Sequence, residues 1–422
     1  MTATTPERAT ADLDLYDPDV SARRLEEWAT LRAQCPVAYN PQHGGYWMLS
    51  RYDDIVKVSR DPKTFSSRYT DGPVDGIEYI GILGIPPPPR ALGIGVHEVA
   101  EELHVPLRRA MNPYFSQSVA ESLRPTIARY VGWFLDERIE SGRIDAVREL
   151  AGPVAALLTM EIVGLPLSEW RYYVEVFQNS RTYSVDSPEA AALAELMTGM
   201  ATTLIEQLES RRTEPQNDLL TGFVQFRKPD GQALTEAELL GQVWFVITGG
   251  LDTTTSVIAN SLEYLAHHPE QRRSLIENPE LMPKATEEFL RVFPVNETLT
   301  RTVTRDVELA GQQLHRGDHL LVSWLSANRD ASVFEDPDLV ILDRTPNPHL
   351  AFGTGPHRCI GMHVARMVFQ VVLSEVLRRI PDYTVESIAM APPLPVLNSV
   401  TSLVLRFPPG RREQPKTPPP GF

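Results

Sequence analysis

The run from Phe352 to Gly361 (FGTGPHRCIG) carries Cys359 on a glycine-rich stretch just ahead of an apolar, helix-forming sequence. A cysteine at a helix N-terminus faces free backbone N–H groups and the positive end of the helix dipole, and both favour the thiolate. His357 and Arg358 add positive charge beside it. A thiolate there is either a metal ligand or a nucleophile, and the alternative is a buried cysteine that only fills space in a helix cap.

A second chemical grouping is Gly249-Gly250-Leu251-Asp252-Thr253-Thr254. Two consecutive glycines cost a helix interior roughly 1 kcal/mol each, so they call for a reason. Close helix packing is one, and approach of a flat ligand or dioxygen to the backbone is another. Thr253 lies four residues after Gly249, so its hydroxyl can reach that carbonyl, and an acid next to an alcohol at such a place can relay protons. Two charged pairs also share helix faces: Glu288 with Arg291, three apart, and His104 with Arg108, four apart. An exposed ion pair or a solvated charge is the plain reading of each.

These residues need elements to hold them. The 38–49 region reads as strand, turn, strand, and Tyr52 to Arg60 as a helix closed by Asp61-Pro62. Residues 70–97, rich in Gly and Pro, read as a long loop, of a length usually functional or mobile. Thr235-Glu236-Ala237-Glu238 is a capping-box sequence that opens a mostly buried helix of about 50 Å, ending at His268-Pro269. Further helices are expected from Pro283 to Phe293 and from Gly361 to Ile380, with β-hairpins over 302–325. Pro106 is tolerated only in a first turn, so the helix carrying Arg108 is expected to start near Val105.

The 422 residues are 42% hydrophobic and carry a formal charge of −15, which argues against general affinity for nucleic acid. Two cysteines, Cys35 and Cys359, make neither a disulfide framework nor an all-cysteine zinc site. No stretch approaches the roughly 20 apolar residues of a membrane span, and the first twenty residues have no signal-peptide core, so a cytoplasmic protein is expected. No dinucleotide fingerprint or phosphate-binding loop is present, so reducing electrons would have to come from another protein.

The decapeptide around Cys359 resembles the haem-binding signature of the cytochrome P-450 family at its defining positions, and the resemblance extends over roughly Asp14 to Pro408. It implies a mainly α fold with a minor β region, one domain around a buried haem b. Flexible residues 1–13 would precede the haem-thiolate domain at 14–408, and a Pro-rich disordered tail would follow at 409–422. Cys359 would be the axial ligand to the iron, with Phe352, Gly353 and Gly361 also binding the cofactor. Asp252 and Thr253 would deliver protons to the distal oxygen. His104, Arg108, Arg301 and His357 would meet the haem propionates, and Glu288, Arg291 and Arg344 would form a structural network. Substrate would touch Ile82, Leu83, Tyr183, Val246, Gly249, Val295, Asn296, Leu299, Val396 and Leu397, with Asn398 as a further polar handle.

The activity so implied is insertion of one oxygen atom from O2 into a mainly apolar, natural-product-like molecule by a monomer supplied by a ferredoxin and its reductase. Arg108, Arg109, Arg358, Arg378 and Arg379 would form the basic docking patch. A peroxide-driven enzyme, a non-catalytic haem sensor and a cysteine-nucleophile hydrolase are the competing readings.

Overall fold

The computed structural model describes residues 9–88, 90, 93, 95–179, 188–392 and 396–419. Its axis is the helix Glu236–His267, which is opened by the expected capping box: Thr235 Oγ1 accepts from Glu238 N at 3.2 Å and Glu238 Oε2 accepts from Thr235 N at 2.7 Å. Val243, Ile247, Ile258, Leu262 and Leu265 are buried along it, on more than one face, because it runs through the main apolar core. Around it pack Gly152–Val163, the cysteine helix Met362–Arg379 and the strand Val400–Arg406, with Gln117–Ile139 beyond the cysteine helix.

The β region lies to one side. Five strands run in the spatial order Val37–Asn40, Tyr46–Leu49, His319–Ser323, Thr298–Val303, Phe65–Ser66, and only the Tyr46–Leu49 and His319–Ser323 pair is parallel. This sheet has its own core of Trp47, Leu49, Phe65, Leu320, Val322 and Trp324. A second sheet orders Arg143–Asp145, Val400–Arg406 and Thr384–Met390, and a hairpin pairs Val307–Leu309 with Gln312–Leu314. The molecule is one helix-rich domain.

Three expectations need correction. The Arg108 helix spans Glu101–Met111, starting a full turn before Val105. Leu103 N and His104 N both donate to Ala100 O, so the first turn closes despite Pro106. The proline removes only the bond to Glu102 O, on an exposed residue.

Second, Glu413 and Gln414 dock where a disordered tail was expected. Asp136 is buried on the Gln117–Ile139 helix, and a buried carboxylate needs donors. Glu413 N, Gln414 N and Arg379 supply them at 3.0, 2.7 and 2.6 Å. Third, residues within the expected flexible 1–13 segment extend the sheet edge: Ala11 N donates to Tyr39 O, Tyr39 N to Ala9 O, and Asn40 Nδ2 to Leu13 O.

Candidate active site

The loop before the cysteine helix has a shape that only glycine permits at two points. Gly353 and Gly355 have φ of 65° and 74°. A Cβ on Gly355 would also lie 2.3 Å from Ser59 O. That turn lets Cys359 N donate to Phe352 O at 2.8 Å and Arg358 N to Gly355 O at 3.1 Å. Protein surrounds Cys359, yet part of its surface stays accessible, as for a group facing an internal space.

Burial pushes the Cys359 thiol up and outweighs the Gly361 N–H and the Arg108, Arg366 and Arg358 charges that pull it down. The helix end and the cations favour the thiolate, as expected, and a coordinated metal deprotonates a thiol outright.

Beside this loop the structure gathers His104, Arg108, Arg301 and His357, joined by His97 and Glu101, which the sequence did not single out. The His104 and His357 rings are 4.0 Å apart, His97 is 5.7 Å from His357, and Phe245 of the long helix is 4.8 Å from His97. These rings link the long helix to the cysteine loop. His357 Nε2 lies 2.9 Å from Glu101 Oε1, and Ser67 Oγ donates to His97 O at 2.6 Å.

Burial, then repulsion from His357, lowers His104 to a pKa of about 4; Glu101 opposes the shift and Arg108 adds to it. His97 is driven down by burial and by the cations around it. Burial likewise brings Arg301 to about 10. Both ring nitrogens of His104 and Nη1 of Arg108 are buried without a hydrogen-bond partner. Arg301 donates Nη1–H to Thr300 O, and among the described residues neither Arg108 nor Arg301 has an ion-pair partner.

The ligand atoms of Glu101, His104 and His357 lie within 4.8 Å of one another, a spacing a metal ion could bridge. The arginines beside them make the cluster cationic, so an anion suits it better. Orphaned buried donors next to a half-accessible cysteine fit a metal macrocycle bearing carboxylates.

The long helix borders this cluster through Phe245. A Cβ on Gly250 would lie 2.3 Å from Thr159 Oγ1, so this glycine serves packing. Gly249 meets nothing within 4 Å and is exposed midway along a buried helix, so it serves open space. Thr253 Oγ1 donates to Gly249 O at 2.8 Å, the expected bond. Val246, Val295, Val396 and Ile82 are buried, Leu83 and Leu397 half-buried, and Asn296 pairs with Leu397 in a β-bridge. Leu299 shares its strand face with Arg301, and Tyr183 lies outside the described residues.

Glu288, Arg291 and Arg344 come together as expected. Arg291 grips both Glu288 oxygens at 2.8 Å and Arg344 Nε lies 3.1 Å from each. Asn328, in a segment that gave no role in sequence, accepts from Leu350 N through Oδ1 and from Arg291 Nη1 through its carbonyl, tying this network to the cysteine loop.

The proposed docking patch shrinks. Arg378 is paired with Glu375 and Glu413, and Arg379, with a 4% exposed side chain, with Asp136 and Glu413. Arg108 is half-buried, which leaves Arg109 and Arg358 exposed.

A partly buried cysteine on a glycine loop, a cationic cluster beside it and a long helix with an uncrowded glycine are what a haem-thiolate protein requires. The family model described as Cytochrome P450 matches residues 186–409. Mycinamicin IV hydroxylase/epoxidase of Micromonospora griseorubida is 32% identical over 79% of this chain and 82% of its own. Linalool 8-monooxygenase of Pseudomonas putida is 30% identical over 88% and 92%. Among solved structures, CalO2 superposes with a TM-score of 0.81 at 27% identity, covering 95% of this chain and 100% of that one. The hydroxylase HmtN gives 0.79 at 26%, covering 92% and 97%. The chain belongs to the cytochrome P450 family, whose members are haem b monooxygenases. Among the described residues no helix is long and apolar enough to cross a membrane.

Proposed function

We propose that this chain hydroxylates or otherwise oxygenates a mainly apolar, natural-product-like molecule, using O2 and electrons from a ferredoxin system. The observation that carries this reading is the set of unpartnered buried polar atoms on His104 and Arg108 beside the Cys359 loop, together with the uncrowded Gly249 on the long helix. Haem, when bound, supplies the dioxygen chemistry, and a thiolate ligand favours O–O cleavage. Cys359 would hold the iron, and His104, Arg108, Arg301 and His357 would take the two propionates by charge-assisted hydrogen bonds.

Asp252 and Thr253 would pass protons at the open turn, Thr253 from its hydroxyl and Asp252 from its carboxyl. This pair favours an O2-driven cycle over a peroxide-driven one. Val246, Val295, Val396 and Leu397 would exclude water and seat the apolar body of the substrate, while Asn296 and Asn398 orient its polar groups. The named substrates of two relatives, mycinamicin IV and linalool, are in keeping with that wall.

The test is an optical titration of the ferric protein against apolar and natural-product-like compounds. The expected outcome is a low- to high-spin shift with one structural class. A shift with none of them, with turnover by peroxide alone, would contradict the reading.

A further inference from the structure

Asp252 is held from a distant part of the chain. Its Oδ2 accepts a 2.9 Å hydrogen bond from Ser399 Oγ, which is one of the contacts that fix it. Ser399 is only 4% exposed. The next residue repeats the attachment: Val400 N donates to Ser256 Oγ at 3.2 Å, and Ser256 lies one turn beyond Asp252 on the same face of the long helix. The other end of this run is stitched to the apolar wall. Asn398 N donates to Val295 O at 2.9 Å, Glu297 N to Val396 O at 3.0 Å, and Asn296 bridges to Leu397. Five residues, 396–400, thus join the wall to the acid.

Asp252 also borders a cavity of about 30 Å³, lined further by Val147, Val174, Phe177, Thr255 and Thr401. A single water requires roughly 10–15 Å³ measured this way, so one or two fit beside the carboxylate.

We propose that Ser399 is a positioning residue for proton delivery. Its hydroxyl fixes the Asp252 carboxylate between the water-sized cavity and Thr253, and its backbone ties that orientation to the substrate wall. The proposal rests on the monooxygenase reading above. A carboxylate that must take protons from one side and give them to the other works only in a rotamer that reaches both. Ser399 holds Oδ2 and so helps keep the carboxylate at the edge of the cavity. Asp252 takes one proton from the cavity side for each proton it gives toward Thr253, so no charge accumulates. A substrate that presses on Val396 or Leu397 acts on the same five-residue run, so the acid is set firmly only when the wall is filled.

The experiment compares wild type, Ser399→Ala and Ser399→Thr as haem-loaded proteins. Ser399→Ala is expected to lower turnover about three- to tenfold, a fraction of what a direct acid–base group supplies. Its solvent deuterium isotope effect should rise, while the substrate-induced spin shift keeps its affinity within about twofold. Ser399→Thr, which retains the hydroxyl, should restore both. Without any turnover, amide exchange over residues 396–401 should speed several-fold in the alanine variant and not in the threonine one.

An active wild type with a Ser399→Ala variant of unchanged isotope effect and exchange would overturn the proposal alone. So would a threonine variant as impaired as the alanine one. A wild-type chain that takes up no thiolate-ligated haem would overturn the monooxygenase reading and this proposal with it.

Discussion

At Arg108 the chemistry of the site can be read from a single side chain. Its Nη1 is buried without a partner, and burial lowers its pKa, opposed only in part by the neighbouring sulfur of Cys359. A guanidinium left so has a reason only if an anion meets it. Replacing Arg108 with Gln removes the charge and keeps most of the volume. Haem should then dissociate at least about tenfold faster, the equivalent of losing one charged hydrogen bond of ~1.5–3 kcal/mol. Transfer of haem to an excess of apomyoglobin measures this, and an unchanged rate would remove Arg108 from the propionate set.

The sequence grouped His104, Arg301 and His357 with Arg108, and the fold does bring them together. His97 and Glu101 were not legible in it, because neither sits in a motif and both arrive through loop 70–97 and the helix that follows. Ser399 was invisible for the same reason: its partner is 147 residues away, and a lone serine carries no long-range signal.

Among the elements, the long helix shows how two neighbouring glycines can have different causes. Gly250 faces Thr159, where a methyl group would meet Oγ1 at 2.3 Å, and Gly249 faces open space. Gly250→Ala should therefore destabilise the protein by about 1–3 kcal/mol through overpacking. Gly249→Ala should leave stability level or raised by up to about 1 kcal/mol, because alanine favours helix, while weakening binding of the titrated ligand. Thermal unfolding together with the spin-state titration reads both, and the reverse pattern would show that the open side is misassigned.

Periodicity and caps located this helix, Tyr52–Arg60 and the cysteine helix to within a residue or so, since their signals are local. The Glu101–Met111 helix was misplaced because a rule about proline was applied to one residue, when an early turn bonded to Ala100 O tolerates it.

Over the whole molecule, charge is distributed so that the acidic total hides a small basic face. Asp136, Glu375 and Glu413 neutralise Arg378 and Arg379, leaving Arg109 and Arg358 exposed near the cysteine loop. Composition could not reveal this, because Asp136 meets Arg379, Glu413 and Gln414 only once the chain is folded. Exposed charges at a docking face act mainly on association rate and are screened by salt. The double substitution of Arg109 and Arg358 by Gln should slow first-electron transfer from an acidic ferredoxin about tenfold at low ionic strength and much less at high salt. Equal rates at low salt would place the docking face elsewhere.

The account turns on Cys359 binding iron through its sulfur. The most direct measurement is the absorption spectrum of the reduced protein under carbon monoxide, for wild type and for Cys359→His. The account predicts a strongly red-shifted Soret band in wild type and its replacement by a shorter-wavelength band in the variant, with haem retained. A wild-type spectrum lacking the red-shifted band, or one that the substitution leaves unchanged, would contradict it.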